Sequence, residues 1–184
     1  ILTVTISDTR IRELVENRHF VDADERLEEV DALELAAGLA LKRATKKQRV
    51  RHAISFHRSI KSAKRFAAQQ DVLNEDRKLG PRMTNLHISS KQSVGDRKEI
   101  LADFSSYRCS LLTNARCLTE GIDVPEVDCV LFASPKQSTV DIVQAAGRAL
   151  RRHDGKKLGY ILLPLIVPDG MNLDQFTETT EFRQ

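Results

Sequence analysis

Residues 141–152, DIVQAAGRALRR, set Gln144, Gly147, Arg148 and Arg151 in the pattern Gln-x-x-Gly-Arg-x-x-Arg. In a helix, Arg148 and Arg151 are three residues apart and share a face. Gly147 removes the side-chain bulk that would keep another group at a distance. Two permanently charged guanidinium forks aimed at one spot suit a polyphosphate, because each offers bidentate donors that never lose their proton. Upstream, ARCLTEGIDVPEVD (115–128) carries a Gly121-x-Asp123 turn closed by Pro125. Such a turn is ordinary by itself. It gains weight from standing one short apolar strand, CVLFA, ahead of the arginines.

These groups need a frame. LTVTI (2–6) reads as a strand, and the Glu-, Leu-, Ala- and Lys-rich stretch 24–50 as one long helix or two short ones. Strands are then expected at 50–56, 84–89, 107–113, 127–133 and 158–167. Helices are expected at 59–79, ended by Gly80-Pro81, at 94–106, and from 141. The strands are near-continuous apolar runs, and helices separate most of them. Both faces of the sheet are then covered, which predicts an α/β fold with a mainly parallel sheet and helices on both faces. In such sheets chemistry gathers where strands exit at their carboxyl ends.

Composition narrows the classes. The 184 residues include three cysteines, Cys109, Cys117 and Cys129, with no C-x-x-C spacing, which argues against a zinc site or disulfide framework. The sequence has no signal peptide and no apolar run long enough for a membrane helix, so the reading is cytoplasmic. Net charge is only +3, yet the chain is polarised. From 35 to 70 there is no Asp or Glu, while Lys42, Arg43, Lys46, Lys47, Arg49, Arg51, Arg58, Lys61, Lys64 and Arg65 fall there. A basic run is usually a solvated helix face. This one straddles a strand and its exit loop, which favours nucleic-acid contact.

The segment around Gly121 and the Gln-x-x-Gly-Arg-x-x-Arg segment resemble motifs V and VI of superfamily 2 helicases and translocases. AISFHRSIKSAKRFA (53–67) is similar to motif IV and its following helix, and LHISSKQSVGDRKEILADF (86–104) to the next nucleic-acid-facing strand, loop and helix. The set looks closest to type I and type III restriction-enzyme motor subunits. The resemblance implies the C-terminal RecA-like domain of a DEAD/DEAH-type motor, a three-layer sandwich that works against an N-terminal partner domain with ATP and Mg²⁺ between them. It implies that Arg148 and Arg151 are arginine fingers on the transferred phosphoryl. Gln144 would orient nucleotide or water, and Gly121, Asp123 and Gly147 would lie by the nucleotide. His57, Arg58, Ser89, Ser90, Lys91, Thr113, Asn114 and Arg116 would face a sugar-phosphate backbone, DNA rather than RNA. Many relatives have threonine where this chain has Ala115, and Thr113 or Asn114 would stand in.

No G-x-x-x-x-G-K-[ST] phosphate loop occurs in the sequence. The expected organisation is therefore a lead-in strand and helix over 1–49 from a first motor domain, a second RecA-like domain over 50–170, and a tail over 171–184. Beginning at Ile1 with an immediate strand, the sequence reads as a piece of a longer protein, inactive alone as an ATP hydrolase. The rival reading is a non-catalytic nucleic-acid-binding or scaffolding module, which would have no use for the paired arginines.

Overall fold

The apolar runs expected as strands lie side by side, and each described pair is parallel. The computed structural model describes residues 29–115, 126–133, 147 and 158–163. Within them the chain forms α1 (Glu29–Lys47), β1 (His52–His57), α2 (Ile60–Leu73), β2 (Thr84–Ser89), α3 (Val94–Ser106), β3 (Ser110–Ala115), β4 (Cys129–Phe132) and β5 (Tyr160–Leu162). The sheet order is β2-β3-β1-β4-β5, with β1 at its centre. Parallel neighbours cannot be joined by a tight turn, and α2 and α3 supply the crossovers from β1 to β2 and from β2 to β3.

Side chains alternate across the sheet and divide the core into two halves. Ile54, Phe56, Leu112, Val130 and Phe132 pack with Ile88 of β2 and Phe104 of α3 on one face. Ala53, Leu111, Cys129 and Leu131 pack with Ala37, Leu41 and Ala44 of α1 and Phe66 of α2 on the other. The result is three layers, helix–sheet–helix. Phe56 is a core residue, stacked on Phe132 with ring centroids 5.6 Å apart. Among the described residues no helix is long and apolar enough to cross a membrane.

Helix limits follow from local chemistry. Ser59 caps α2 by accepting from Ser62 N–H at 3.1 Å. At α3, Ser93 and Asp96 form a reciprocal capping box, each side chain accepting the other's backbone N–H at 3.1 Å. The helix expected over 59–79 stops at Leu73, well before Gly80. Asn74 is the cause. Its side chain donates to Met83 O at 2.9 Å and accepts from Met83 N at 3.0 Å, which turns the chain toward β2. The strand expected over 107–113 runs instead from Ser110 to Ala115, because Ser110 N is taken by Arg51 O at 2.7 Å and sets the register with β1. The strand expected at 2–6 lies outside the described residues. Of the helix expected from 141 only Gly147 is described, and it is helical.

Helices α1 and α2 run parallel and touch in steps of about one turn. Glu34 meets Ser62 and Arg65, Gly38 meets Gln70 and Leu73, and Lys42 meets Asn74. A Cβ on Gly38 would come within 2.3 Å of the Gln70 amide nitrogen, so the two helices approach closely there. The Lys42 side chain is buried, donating to the Asn74 side-chain oxygen and to Pro81 O, and desolvation lowers its pKa to about 8. Asn74 thus serves three partners at once. Asn74→Ala leaves both Met83 backbone groups and the Lys42 ammonium short of a partner. We expect it to lower unfolding free energy by roughly 2–4 kcal/mol, read by denaturant titration. Lys42→Met, which removes the buried charge while keeping the stem volume, is expected to cost less.

Candidate nucleic-acid interface

Strands β2, β3 and β1 are neighbours, and their register pairs Ser89 with Ala115 and Ala115 with His57. Their carboxyl ends are therefore level. Arg58 leaves β1 and Ser90-Lys91 leave β2 at this edge, and all three are exposed. Helices α2 and α3 start immediately afterwards, so their positive amino-terminal ends lie at the same edge. The first turn of α2 holds no acid. Exposed guanidinium, ammonium, hydroxyl and helix N–H groups together suit a run of phosphates.

The turn after β2 is fixed by one side chain. Gln92 accepts from Ser89 N at 2.6 Å and donates to His87 O at 3.0 Å, standing in for a strand at the sheet's edge. Gln92 N also donates to Ser89 O at 3.3 Å, closing a tight turn with Ser90 and Lys91 inside it. Sequence reasoning missed Gln92, since nothing in a Lys-Gln-Ser tripeptide marks a glutamine as a backbone clamp.

Four residues expected at the backbone turn their side chains inward. His57, Ser89, Thr113 and Asn114 are buried. Alternation along β1 sends His57 under α2, its ring centroid 5.0 Å from that of Phe66. Its Nε2 lies 2.9 Å from Ser55 Oγ and its Nδ1 3.5 Å from Ser62 Oγ. Ser62 Oγ donates to Glu34 Oε1 at 2.7 Å, and Arg65 Nε to Glu34 Oε2 at 2.8 Å. Thr113 lies opposite Ser55 on one side and His87 on the other, donates to Leu86 O at 3.1 Å, and lies 3.0 Å from His87 Nδ1. A polar row thus crosses the sheet beneath the exposed loops. Burial, His87 and Arg65 together lower the His57 pKa to about 3. Burial, Lys64 and a hydrogen bond with Thr113 act on His87, with a net lowering.

The acid-free stretch does not form one face. Arg58, Lys61 and Lys64 lie at or near the carboxyl edge. Lys46 and Lys47 lie in the last turn of α1 and Arg49 and Arg51 between α1 and β1, at the opposite edge, and Lys42 is buried. Sequence proximity across residues 42–51 and 58–65 was misleading, because one strand length separates the two groups.

Arg116, Gly121, Asp123, Gln144, Arg148 and Arg151 lie outside the described residues. Gly147 is exposed, and among the described residues a Cβ there would meet nothing within 4 Å. Among the described residues no group of three or more His, Cys, Asp or Glu side chains could hold a metal ion. Cys129 is a buried core residue whose thiol burial pushes up, and partial burial raises Cys109 to about 11.

Residues 33–153 match the family model described as the helicase conserved C-terminal domain. The chain is similar to a protein of African swine fever virus named "Probable helicase", 29% identical over 171 residues, which make up 86% of this chain and 20% of that protein. It therefore spans about a fifth of that relative's length. Among solved structures, the ATP-dependent Type ISP restriction-modification enzyme LlaBIII bound to DNA is similar at a TM-score of 0.68. The match is 28% identical and covers 88% of this chain and 12% of that one. Domain 2 of the DEAD-box helicase Mss116p bound to an RNA duplex matches at a TM-score of 0.58 and 20% identity, covering 73% of this chain and 50% of that one. That second likeness shows the fold, the RecA-like α/β fold of helicase domains.

The buried histidine gives a pH test. Its folded pKa of about 3 lies below the ordinary 6.5, so between these values the unfolded chain binds a proton that the folded chain does not. His57 therefore supports the fold above pH 6.5, and that support is lost as pH falls toward 3. Unfolding free energy is expected to fall by up to about 1.4 kcal/mol per pH unit from this group alone. In His57→Gln the acid limb of the stability curve should be shallower.

Proposed function

The chain belongs to the helicase conserved C-terminal domain family, and on that premise we propose that it is the second motor domain of an ATP-dependent DNA helicase or translocase. The observation that carries this reading is the level edge where β2, β3 and β1 end side by side. There, Arg58 and Ser90-Lys91 are exposed beside the amino-terminal ends of α2 and α3. The edge is built to run along a phosphate backbone without reading bases. Similarity to a restriction-modification enzyme bound to DNA, extending over 88% of this chain, supports DNA as the track.

Mg²⁺-ATP, bound mainly by a preceding motor domain, would supply the γ-phosphoryl whose transfer to water drives the motor. This chain's part is electrostatic. Arg148 and Arg151 would donate forked hydrogen bonds and offset the charge that builds on the phosphoryl oxygens. Gln144 orients nucleotide or attacking water. Gly121 and Asp123 would lie by the nucleotide and link it to the backbone-contacting edge, and Gly147 would keep the approach open. With no phosphate loop in its sequence, the 184-residue chain by itself is expected to hydrolyse no ATP.

Two measurements test the reading. In the protein paired with its first motor domain, Arg148→Ala or Arg151→Ala should reduce nucleic-acid-stimulated ATP turnover about 10³-fold or more, with smaller effects on nucleotide affinity. Lys at either position should rescue poorly for want of the planar fork. Normal turnover in both alanine variants would overturn the finger assignment. Separately, replacing Arg58, Lys91 and Arg116 together by Ala should weaken binding about equally across unrelated DNA sequences. The plot of log affinity against log salt should also flatten by roughly 0.9 per lost phosphate contact. An unchanged slope would remove this edge from the track.

A further inference from the structure

We propose that the opposite, amino-terminal edge of the sheet is a second nucleic-acid surface, a row of arginines that grips the phosphate backbone of a duplex. Arg82 stands two residues before β2, Arg108 two before β3 and Arg51 one before β1. The strand order β2-β3-β1 places the three in line. Backbone bonds hold the line, with Thr84 N donating to Cys109 O at 2.9 Å and Ser110 N to Arg51 O at 2.7 Å. Two strand spacings make the row roughly 10 Å long. One strand of a duplex carries a phosphate about every 3.4 Å of helix axis, so the row spans about three phosphates.

The commonest role for basic residues at such an edge is local, since three helices end here with their carbonyls outward. Some residues do fill that role. Lys46 and Lys47 occupy the last turn of α1, and Lys46 Nζ donates to Lys78 O at 2.8 Å. The three arginines do not. Arg51, Arg82 and Arg108 are exposed, and among the described residues none of their guanidiniums pairs with a carboxylate or caps a helix carbonyl. Two acids near this edge are engaged by backbone donors. Asp128 accepts from Arg51 N at 2.8 Å and His52 N at 3.0 Å, and Asp76 accepts from Lys78 N at 2.9 Å. Arg49, held at a φ of 59°, adds a further exposed charge beside the row. Their field reaches inward, since Arg77 and Arg82 help to lower the Lys42 pKa and Arg51 and Arg108 act against the rise at Cys109. Forks in a line, engaged by no carboxylate or helix carbonyl among the described residues, fit regularly spaced phosphates better than an irregular acidic peptide.

This surface lies one strand length from the edge proposed above and does not depend on the arginine-finger assignment. Its test is the Arg51→Ala/Arg82→Ala/Arg108→Ala variant of the protein. Binding to a mixed-sequence DNA duplex would be followed by fluorescence anisotropy at several salt concentrations, with the melting temperature recorded alongside. We expect roughly tenfold weaker binding at low salt and a salt slope reduced by about 2 to 3, since each phosphate contact contributes about 0.9. The matching Lys triple variant keeps the charge and should keep most of the slope, so a folding defect in the Ala variant cannot be mistaken for lost contacts. Duplex affinity and slope both unchanged in the Ala variant would overturn the proposal. So would a surface that binds polyglutamate in the parent, loses it in the variant and leaves duplex binding intact, because that pattern marks a protein partner. Loss of binding in the Arg58/Lys91/Arg116 variant together with no change in this one would leave the proposed track standing and remove only the second surface.

Discussion

A parallel pair of strands cannot be closed by a short turn, so the chain must leave one strand at the top of the sheet and return to its foot before starting the next. In this protein that constraint governs every described strand pair. It requires both sheet faces to be covered, which explains the two separate apolar clusters and the apolar strands that feed both. It also sorts the polar chemistry. Residues just after strands collect at one edge and residues just before strands at the other, however near they stand in sequence. Arg51 and Arg58 are separated only by β1, yet they belong to opposite ends of the molecule.

Much of the frame was legible because parallel sheets write themselves plainly into sequence. The limits of β2 and α3 are the ones expected, Thr84–Ser89 and Val94–Ser106. The end of α2 was not legible. Gly80-Pro81 is the strongest local stop signal, but the helix ends seven residues before Gly80 because the Asn74 side chain binds the backbone of Met83 across a turn. Tyr107 and Arg108 were read as strand for their residue types, whereas the register set by Ser110 places them before it.

The candidate site shows the same division between pattern and direction. The loops that follow strands could be named from sequence, and Arg58, Ser90 and Lys91 are where an exit loop should put them. Which way a residue at the very end of a strand points is a matter of parity and of what lies above it. His57 and Thr113 fall on the parity that faces α1 and α2, and Phe66 and Ser62 of α2 close over His57. No single-residue signal distinguishes a histidine that meets solvent from one held neutral in the core.

The buried polar row also explains why the exposed loop after β1 has a firm base. Glu34 is almost wholly buried, and both its oxygens are engaged by α2, one by the Ser62 hydroxyl and one by the Arg65 guanidinium. A buried carboxylate left without such partners would cost several kcal/mol, on the order of 3–5, so α1 cannot slide along α2 without leaving that charge exposed to an apolar setting. Ser62 lies in the first turn of α2, where it also donates its backbone N–H to the Ser59 cap. Ser59 follows Arg58 directly. The contact that locks α1 to α2 therefore also fixes the turn that presents Arg58. At the far end of the same two helices Lys42 and Asn74 make a second lock, three partners deep, which holds the start of β2. One parallel helix pair is thus pinned by buried polar groups at both ends, and each pin stands behind one charged edge of the sheet.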